Sequence, residues 1–405
     1  MDTITHGIAG ALIAKAAFRG QDMFAAKPVT RARIITWSLM LGAIFPDSDV
    51  FREFFSHNDL LILTWHRSIT HSLLCLPFFA LALAALTRWF VRWRKWDAPS
   101  FAALAGIYAI GILSHILLDL VTSFGTMIWS PVKWSRPAWD LIFIIDFTLT
   151  AILLVPQIVA WVYSKQEGLR GRALVTWLVF AIATVGVAAI AVTVDAPLSV
   201  GAILAAMVVL SAIFLLPGIR NWGLRVRLVS WNLAGLLVAL IYIAAAVYAH
   251  HIALARVDRF SSSLHLDAQS RGALPFPPSI WHWDGLVLTP RGVYELRLNL
   301  SGESSSVQAA GGGSQADSSL TYRFYPDAAP NPYIEAAWRL PEVQTVLWFA
   351  RFPVTRFHKE GDIAVVEISD LRFPQIRPDR PSSFTYRVRF AADGTVMSQG
   401  WVKPK

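Results

Sequence analysis

Charge is what this sequence has least of. Only 16% of its 405 residues are Asp, Glu, Lys or Arg, whereas 55% are hydrophobic. A soluble domain carries about 25% charged residues. The chain therefore has too little polar surface for water alone, and most of it must be solvated by lipid.

Cysteine is nearly absent as well. Cys75 is the single one and sits in an apolar segment, which excludes a disulfide framework and a thiolate zinc cluster. Several catalytic signatures are missing: HExxH, the helix-borne ligand pair of many zinc proteases, a GxSxG nucleophile elbow and a phosphate-cradling Walker loop. No internal repeat is present. The opening stretch MDTITHGIAGALIAKAAF does not read as a cleaved signal, because its positive charges, Lys15 and Arg19, come after the apolar run.

What is present is a series of eight apolar segments, roughly 4–18, 34–46, 69–91, 101–122, 139–163, 173–194, 197–217 and 228–249. The last six are long enough to cross a hydrocarbon layer of about 30 Å. The first two are short, so they are tilted, partly embedded or buried in the bundle. The net charge of +9 suits nucleic acid, but the arginines cluster at the ends of apolar segments, where they orient helices in a bilayer. With Met1 outside and all eight crossing, fourteen Lys and Arg fall in inside connections. Only Arg52, Arg67, Lys133 and Arg136 fall outside. This bias places residues 250–405 outside the cytoplasm, makes lipid the expected partner and excludes nucleic acid.

After His250 the pattern changes. GVYELRLNL, SLTYRFY, QTVLWFARFP, DIAVVEIS and SFTYRVRF read as strands, and the Gly/Ser-rich stretch 301–319 reads as a flexible loop. The expected fold is mainly α, a polytopic membrane helix bundle followed by a β-rich extracytoplasmic domain. Its parts are a site-bearing helical domain (1–150), further transmembrane helices (151–250) and the β-rich domain (251–405).

The chemistry-bearing residues gather in the first 146. They are His6 in THG, Asp47 and Asp49 in FPDSD, His66 and His71 in WHRSITHS, His115 and Asp119 in SHILLD, and Asp140 and Asp146 in WDLIFIID. Ionisable groups inside apolar helices are costly and are kept for function. The assumed topology puts all five groups at the same end of their segments. His115 and Asp119, spaced i and i+4, share one helical face. Imidazole and carboxylate without thiolate suit zinc, with manganese or iron as alternatives, and several such ligands allow two or three ions. Each group also has a structural reading: Asp140 as a helix N-cap, or His115 with Asp119 as an interhelical hydrogen-bond pair.

MDTITHGIAGALIAKA, LGAIFPDSD, HRSITHSLL and GILSHILLDLVTSFGT resemble, in order and wording, the YdjM-like bacterial inner-membrane family of predicted metal-dependent hydrolases. The resemblance covers about residues 1–150. More distantly, the order of a near-terminal His, an Asp, a His and HxxxD is similar to zinc-dependent phospholipase C and the S1/P1 nucleases. That similarity implies His6, Asp47, His66, His115 and Asp119 as metal ligands, with His71, Asp49 and Asp146 as companions.

The expected activity is hydrolysis of an ester or phosphoester, of a lipid-linked kind given the depth of the site, by metal-activated water. Asp49 or Asp146 would orient a ligand histidine or take the proton. Arg67 would clamp an anionic head group. Two rivals stand beside this reading: a metal-braced scaffold whose β-domain binds a partner, and a transporter-like protein. Substrate and oligomeric state are not legible.

Overall fold

The computed structural model describes residues 1–18, 30–56, 58–193, 200–216, 226–276, 280–300, 322–373 and 384–402. The stretch 301–319, read as a flexible loop, lies outside them. Eight main helices make up the first part: α1 (Thr3–Ala17), α2 (Arg31–Ile44), α3 (Leu76–Trp93), α4 (Phe101–Leu120), α5 (Phe147–Val162), α6 (Leu169–Thr193), α7 (Val200–Phe214) and α8 (Leu228–Ser263). Local chemistry sets several of their starts. Asp2, Thr30, Ser100 and Asp146 each accept a backbone N–H of the first turn, as N-cap residues do.

Four of these helices are long and apolar enough to cross a membrane: α3, α4, the Leu169–Gly186 part of α6, and α8. The sequence suggested six. The fifth apolar segment shortens because Asp146 caps the helix, leaving 16 helical residues. Asp140 is not the cap; its backbone is left-handed, with φ 55°. Of the seventh segment, the described residues form a helix of 15, Val200–Phe214. The eighth lengthens. α8 has 36 residues, about 54 Å of helix, so it outreaches the hydrocarbon layer and continues past residue 250 into the β-rich part.

Small residues hold the site-bearing helices together. A Cβ on Gly111 of α4 would lie 2.6 Å from the Leu39 carbonyl oxygen of α2, and one on Gly10 of α1 would lie 2.8 Å from the Ala43 Cβ. Such backbone-to-backbone approach is how helices associate where lipid offers no hydrophobic drive. Its result here is that the ends of α1, α2 and α4 come to one place.

The C-terminal part holds two antiparallel four-stranded sheets, each in sequential order. The first contains β1 (Ser270–Pro275), β2 (His282–Thr289), β3 (Gly292–Asn299) and β4 (Tyr322–Pro326). The second contains β5 (Pro353–Glu360), β6 (Ile363–Asp370), β7 (Thr385–Phe390) and β8 (Val396–Trp401). The first packs on the end of α8, where Ala253, Val257 and Phe260 meet Trp283, Val287 and Leu296. Between the sheets lie two short helices, α9 (Pro332–Trp338) and α10 (Pro341–Phe349). QTVLWFARFP, read as a strand, is therefore mostly helix. Pro341 opens it, a favoured first helical position, and Val343, Val346 and Phe349 recur at helical spacing to face the core.

That core crosses the domain boundary. Leu60, Leu63 and Phe124 from the loops beside the helical bundle join Val343, Phe349, Val366 and Ile368 in one buried cluster. Arg351 makes a bidentate pair with Asp140, at 2.9 and 3.0 Å. Arg372 donates to the Ser123 carbonyl at 3.0 Å. The second sheet and its helices are thus seated on the loops that carry the site.

Candidate metal centre

His115 and Asp119 stand one turn apart on α4 and are wholly buried. α2 ends at Ile44, and Pro46 turns the chain into a 3-10 stretch, Phe45–Val50, that carries Asp47 and Asp49. A second 3-10 turn, Ile69–His71, delivers His71. These elements bring one ligand atom each from Asp47, His71, His115 and Asp119 to within 4.8 Å of one another.

The individual separations are short. His71 Nε2 lies 3.0 Å from His115 Nε2, 3.2 Å from Asp119 Oδ2 and 3.7 Å from Asp47 Oδ1. His115 Nε2 lies 3.4 Å from both Asp47 Oδ1 and Asp119 Oδ2. The far sides of the rings fix their tautomers. His115 Nδ1 faces the Ala43 carbonyl at 2.7 Å, so it carries the proton and donates. His71 Nδ1 lies 3.0 Å from the Thr70 hydroxyl and 3.4 Å from Asp49 Oδ2, which hold its proton on that side. Both Nε2 atoms then present lone pairs to each other and to two carboxylate oxygens. Asp119 Oδ2 is buried and accepts no hydrogen bond. Four such atoms gathered away from water could hold a metal ion.

A surrounding layer orients this group. Asp49 accepts from His66 Nδ1 at 2.9 Å, from the Arg67 backbone N–H at 3.0 Å and from the Thr70 hydroxyl at 3.1 Å. Burial opposes its ionisation, but the bond to His66 and the neighbouring imidazoles outweigh it and hold the carboxyl below its ordinary range. Asp47 is held below that range in the same way by His115 and His71, against its burial. Its Oδ2 also accepts from the Thr3 hydroxyl at 2.5 Å.

The other sequence candidates are placed differently. His6 stacks on His115, ring centroids 3.6 Å apart, with Nε2 3.3 Å from Asp119 Oδ1 and a buried Nδ1 that finds no partner. It borders the four-atom group without joining it. His66 turns its Nδ1 to Asp49 and belongs to the orienting layer. Asp146 caps α5 and accepts from the Tyr242 hydroxyl at 2.7 Å, so its carboxylate is committed to holding α5 and α8.

Arg67, expected as a clamp for an anionic head group, is buried. Its side chain is 2% exposed, with Nη2 3.0 Å from Asp119 Oδ1 and Nη1 donating to the Thr122 hydroxyl at 3.0 Å. A left-handed backbone, φ 60°, lets its N–H point at Asp49 while its guanidinium reaches Asp119. Strain of this kind persists only where the surroundings enforce it. The Met1 amino group also pairs with Asp119 Oδ1.

Some contributors escaped the sequence reading. Phe124 lies under the guanidinium groups of Arg67 and Arg136, at 5.0 and 4.9 Å, and packs on Phe349 of α10. Arg136 donates to the carbonyls of Leu63, His66 and Gly125, tying the loops around the site. Thr3 and Thr70 supply hydroxyls. None has a spacing signal, because each acts from a loop or a helix end across long sequence separations.

These features define a helical assembly with four helices long and apolar enough to cross a membrane and a buried carboxylate–imidazole cluster. Residues 1–194 match the model of the YdjM inner membrane protein family. The match contains all four cluster residues and ends with α6; α7, α8 and both sheets lie beyond it. No curated protein and no solved structure matches the chain, so the similarity to phospholipase C and the S1/P1 nucleases finds no support in a relative.

Proposed function

We propose that the chain is a metal-dependent hydrolase of the bacterial inner membrane, acting on an ester or phosphoester. The carrying observation is the pair of Nε2 lone pairs 3.0 Å apart, flanked by two carboxylate oxygens. A tetrahedral zinc site places its N and O ligands about 3.3 Å apart. Five of the six separations among the four ligand atoms run from 3.0 to 3.7 Å, and all lie within 4.8 Å. Zinc is therefore the favoured ion, with manganese or iron as alternatives. The charge bias of the connections supports an extracytoplasmic side for the site and for the β-rich part.

Asp47, His71, His115 and Asp119 would hold the ion. When bound there, such an ion lowers the pKa of a water and polarises the substrate oxygen. The remaining work falls to the chain. The Ala43 carbonyl and Asp49 keep both imidazoles in the liganding tautomer, an arrangement that raises their basicity. Arg67 holds Asp119 by Oδ1, leaving Oδ2 directed at the centre. Asp49, held ionised by its donors, is suited to orienting His71 and His66 and poorly suited to taking a proton. The β-rich part closes one side of the site through Phe124.

Metal content by mass spectrometry tests this, on purified protein beside His115→Ala and Asp119→Ala, together with hydrolysis of a chromogenic phosphoester. Stoichiometric zinc or manganese, lost with activity in both folded variants, is the expected result. The complete burial of His71, His115 and Asp119 favours a second reading, a metal-braced scaffold. Under it, removing the metal unfolds the protein and no ester is cleaved by the loaded form.

A further inference from the structure

A cavity of about 680 Å³ lies between α1, α2 and α5. Its walls are apolar, formed chiefly by Ile4, Ile8, Ala11, Met40, Leu154 and Ile158. It follows α1 from Thr3 to Lys15, about 18 Å at 1.5 Å per residue. The Thr3 end is one hydrogen bond from the cluster, since its hydroxyl donates to Asp47. Gly7 and Ile44, which also line this end, adjoin His6 and the turn that carries Asp47.

We propose that this groove holds one hydrocarbon chain of a membrane phospholipid, with the head-group phosphoester at the metal centre. Placing the head group there rests on the hydrolase reading; placing the chain does not. Three observations select this occupant. The groove runs with the axis of α1 from Thr3 to Lys15, and Ile4 of its lining is 74% exposed. Its wall makes no polar demand midway: the Gln157 amide already donates to the carbonyls of Ile8 and Leu153, at 3.0 and 2.9 Å. The side of the site toward the second sheet is covered by Phe124 against Phe349 and by Arg372 on Ser123. A lipid entering from the bilayer therefore meets the groove before the cluster.

Cleavage there needs only water as co-reactant. The water oxygen bonds to phosphorus, the P–O bond to the lipid alcohol breaks, and the leaving oxygen takes a proton.

The test uses the full chain in nanodiscs of phosphatidylethanolamine and phosphatidylglycerol, with a trace phospholipid bearing a diazirine on its acyl chain. After illumination, adducts are mapped by peptide mass spectrometry. Labelling of Ile8, Ala11, Leu154 and Ile158 is expected at least five-fold above that of Phe78 and Trp89, which α3 exposes to lipid. Ala11→Trp, which fills the groove, should cut that labelling at least five-fold while α3 labelling and bound metal stay constant; Ile158→Trp serves if Ala11→Trp does not fold. Equal labelling of α1, α3 and α5, or labelling unchanged in a folded groove-filling variant, overturns the chain site. Hydrolysis of a soluble phosphoester separates the two readings. Groove labelling without any hydrolysis upholds the chain site and removes the enzyme. Hydrolysis without groove labelling does the reverse.

Discussion

Arg67 and Asp119 form an ion pair from which water is excluded, with Nη2 3.0 Å from Oδ1 and side-chain exposures of 2% and 0%. Removing one member of such a pair costs up to about 3–5 kcal/mol, less what the Met1 amino group, also paired with Asp119 Oδ1, still compensates. Arg67→Met should therefore lower the unfolding midpoint strongly in metal-free protein. Saturating zinc should restore much of the loss, because the ion then balances Asp119. Thermal unfolding in detergent with and without zinc checks this; an equal loss in both conditions would show that Arg67 is not the counter-charge.

Asp49 reaches the cluster through His71, whose Nδ1 lies 3.4 Å from its Oδ2, and through the Thr70 hydroxyl that the two share. Asp49→Asn should weaken metal binding by about 10–100-fold while leaving the stoichiometry intact, in contrast to loss of a ligand. Competition with a chelator of known affinity measures it. Wild-type affinity in the variant would remove Asp49 from the orienting layer.

Gly111 and Gly106 lie on the same helix and make opposite predictions. A Cβ at Gly111 collides with the backbone of α2, whereas one at Gly106 meets nothing within 4 Å. Gly111→Ala should cost about 1–3 kcal/mol, as overpacking does. It should also weaken metal binding, because α2 carries the Ala43 carbonyl that positions His115. Gly106→Ala should be neutral or stabilising by up to about 1 kcal/mol, the helix-propensity gain. Matched stability in the two variants would argue against the close approach.

Asp284 on β2 is pushed up from 3.8 to about 7 by burial, with Arg297 opposing the shift and Glu295 adding to it. The folded state then keeps a proton that the unfolded chain gives up. The associated stability is present below pH 4 and is lost as pH rises toward 7, by up to roughly 4 kcal/mol. Asp284→Asn should thus match the wild type at acid pH and exceed it in stability at pH 8. Unfolding midpoints at the two pH values decide the matter, and a constant difference between the proteins would contradict it.

Much of the local structure was legible because it is local. The i, i+4 spacing alone put His115 and Asp119 on one face. The apolar excess pointed to membrane-crossing helices, and four of the described helices are long and apolar enough to cross. Length was less legible. Apolar runs do not reveal that Asp146 starts α5 late or that α8 runs on to Ser263, because capping and docking, rather than hydropathy, set those ends. The apolar run QTVLWFA could serve a strand or a helix; Pro341 at the helix start and packing against β6 and Phe124 selected the helix.

The sequence by itself determined the apolar excess, the shared face of His115 and Asp119, and the pool of imidazoles and carboxylates. The tertiary structure decided which of them meet. His71 enters the group and His66 stays behind Asp49, although the two are five residues apart. Arg67 turns inward to Asp119, and Asp146 goes to Tyr242. The reason is that convergence depends on the approach of α1, α2 and α4 at Gly10 and Gly111 and on two 3-10 turns. Those helix contacts join residues up to 72 positions apart, Leu39 and Gly111, and no spacing along the chain encodes them.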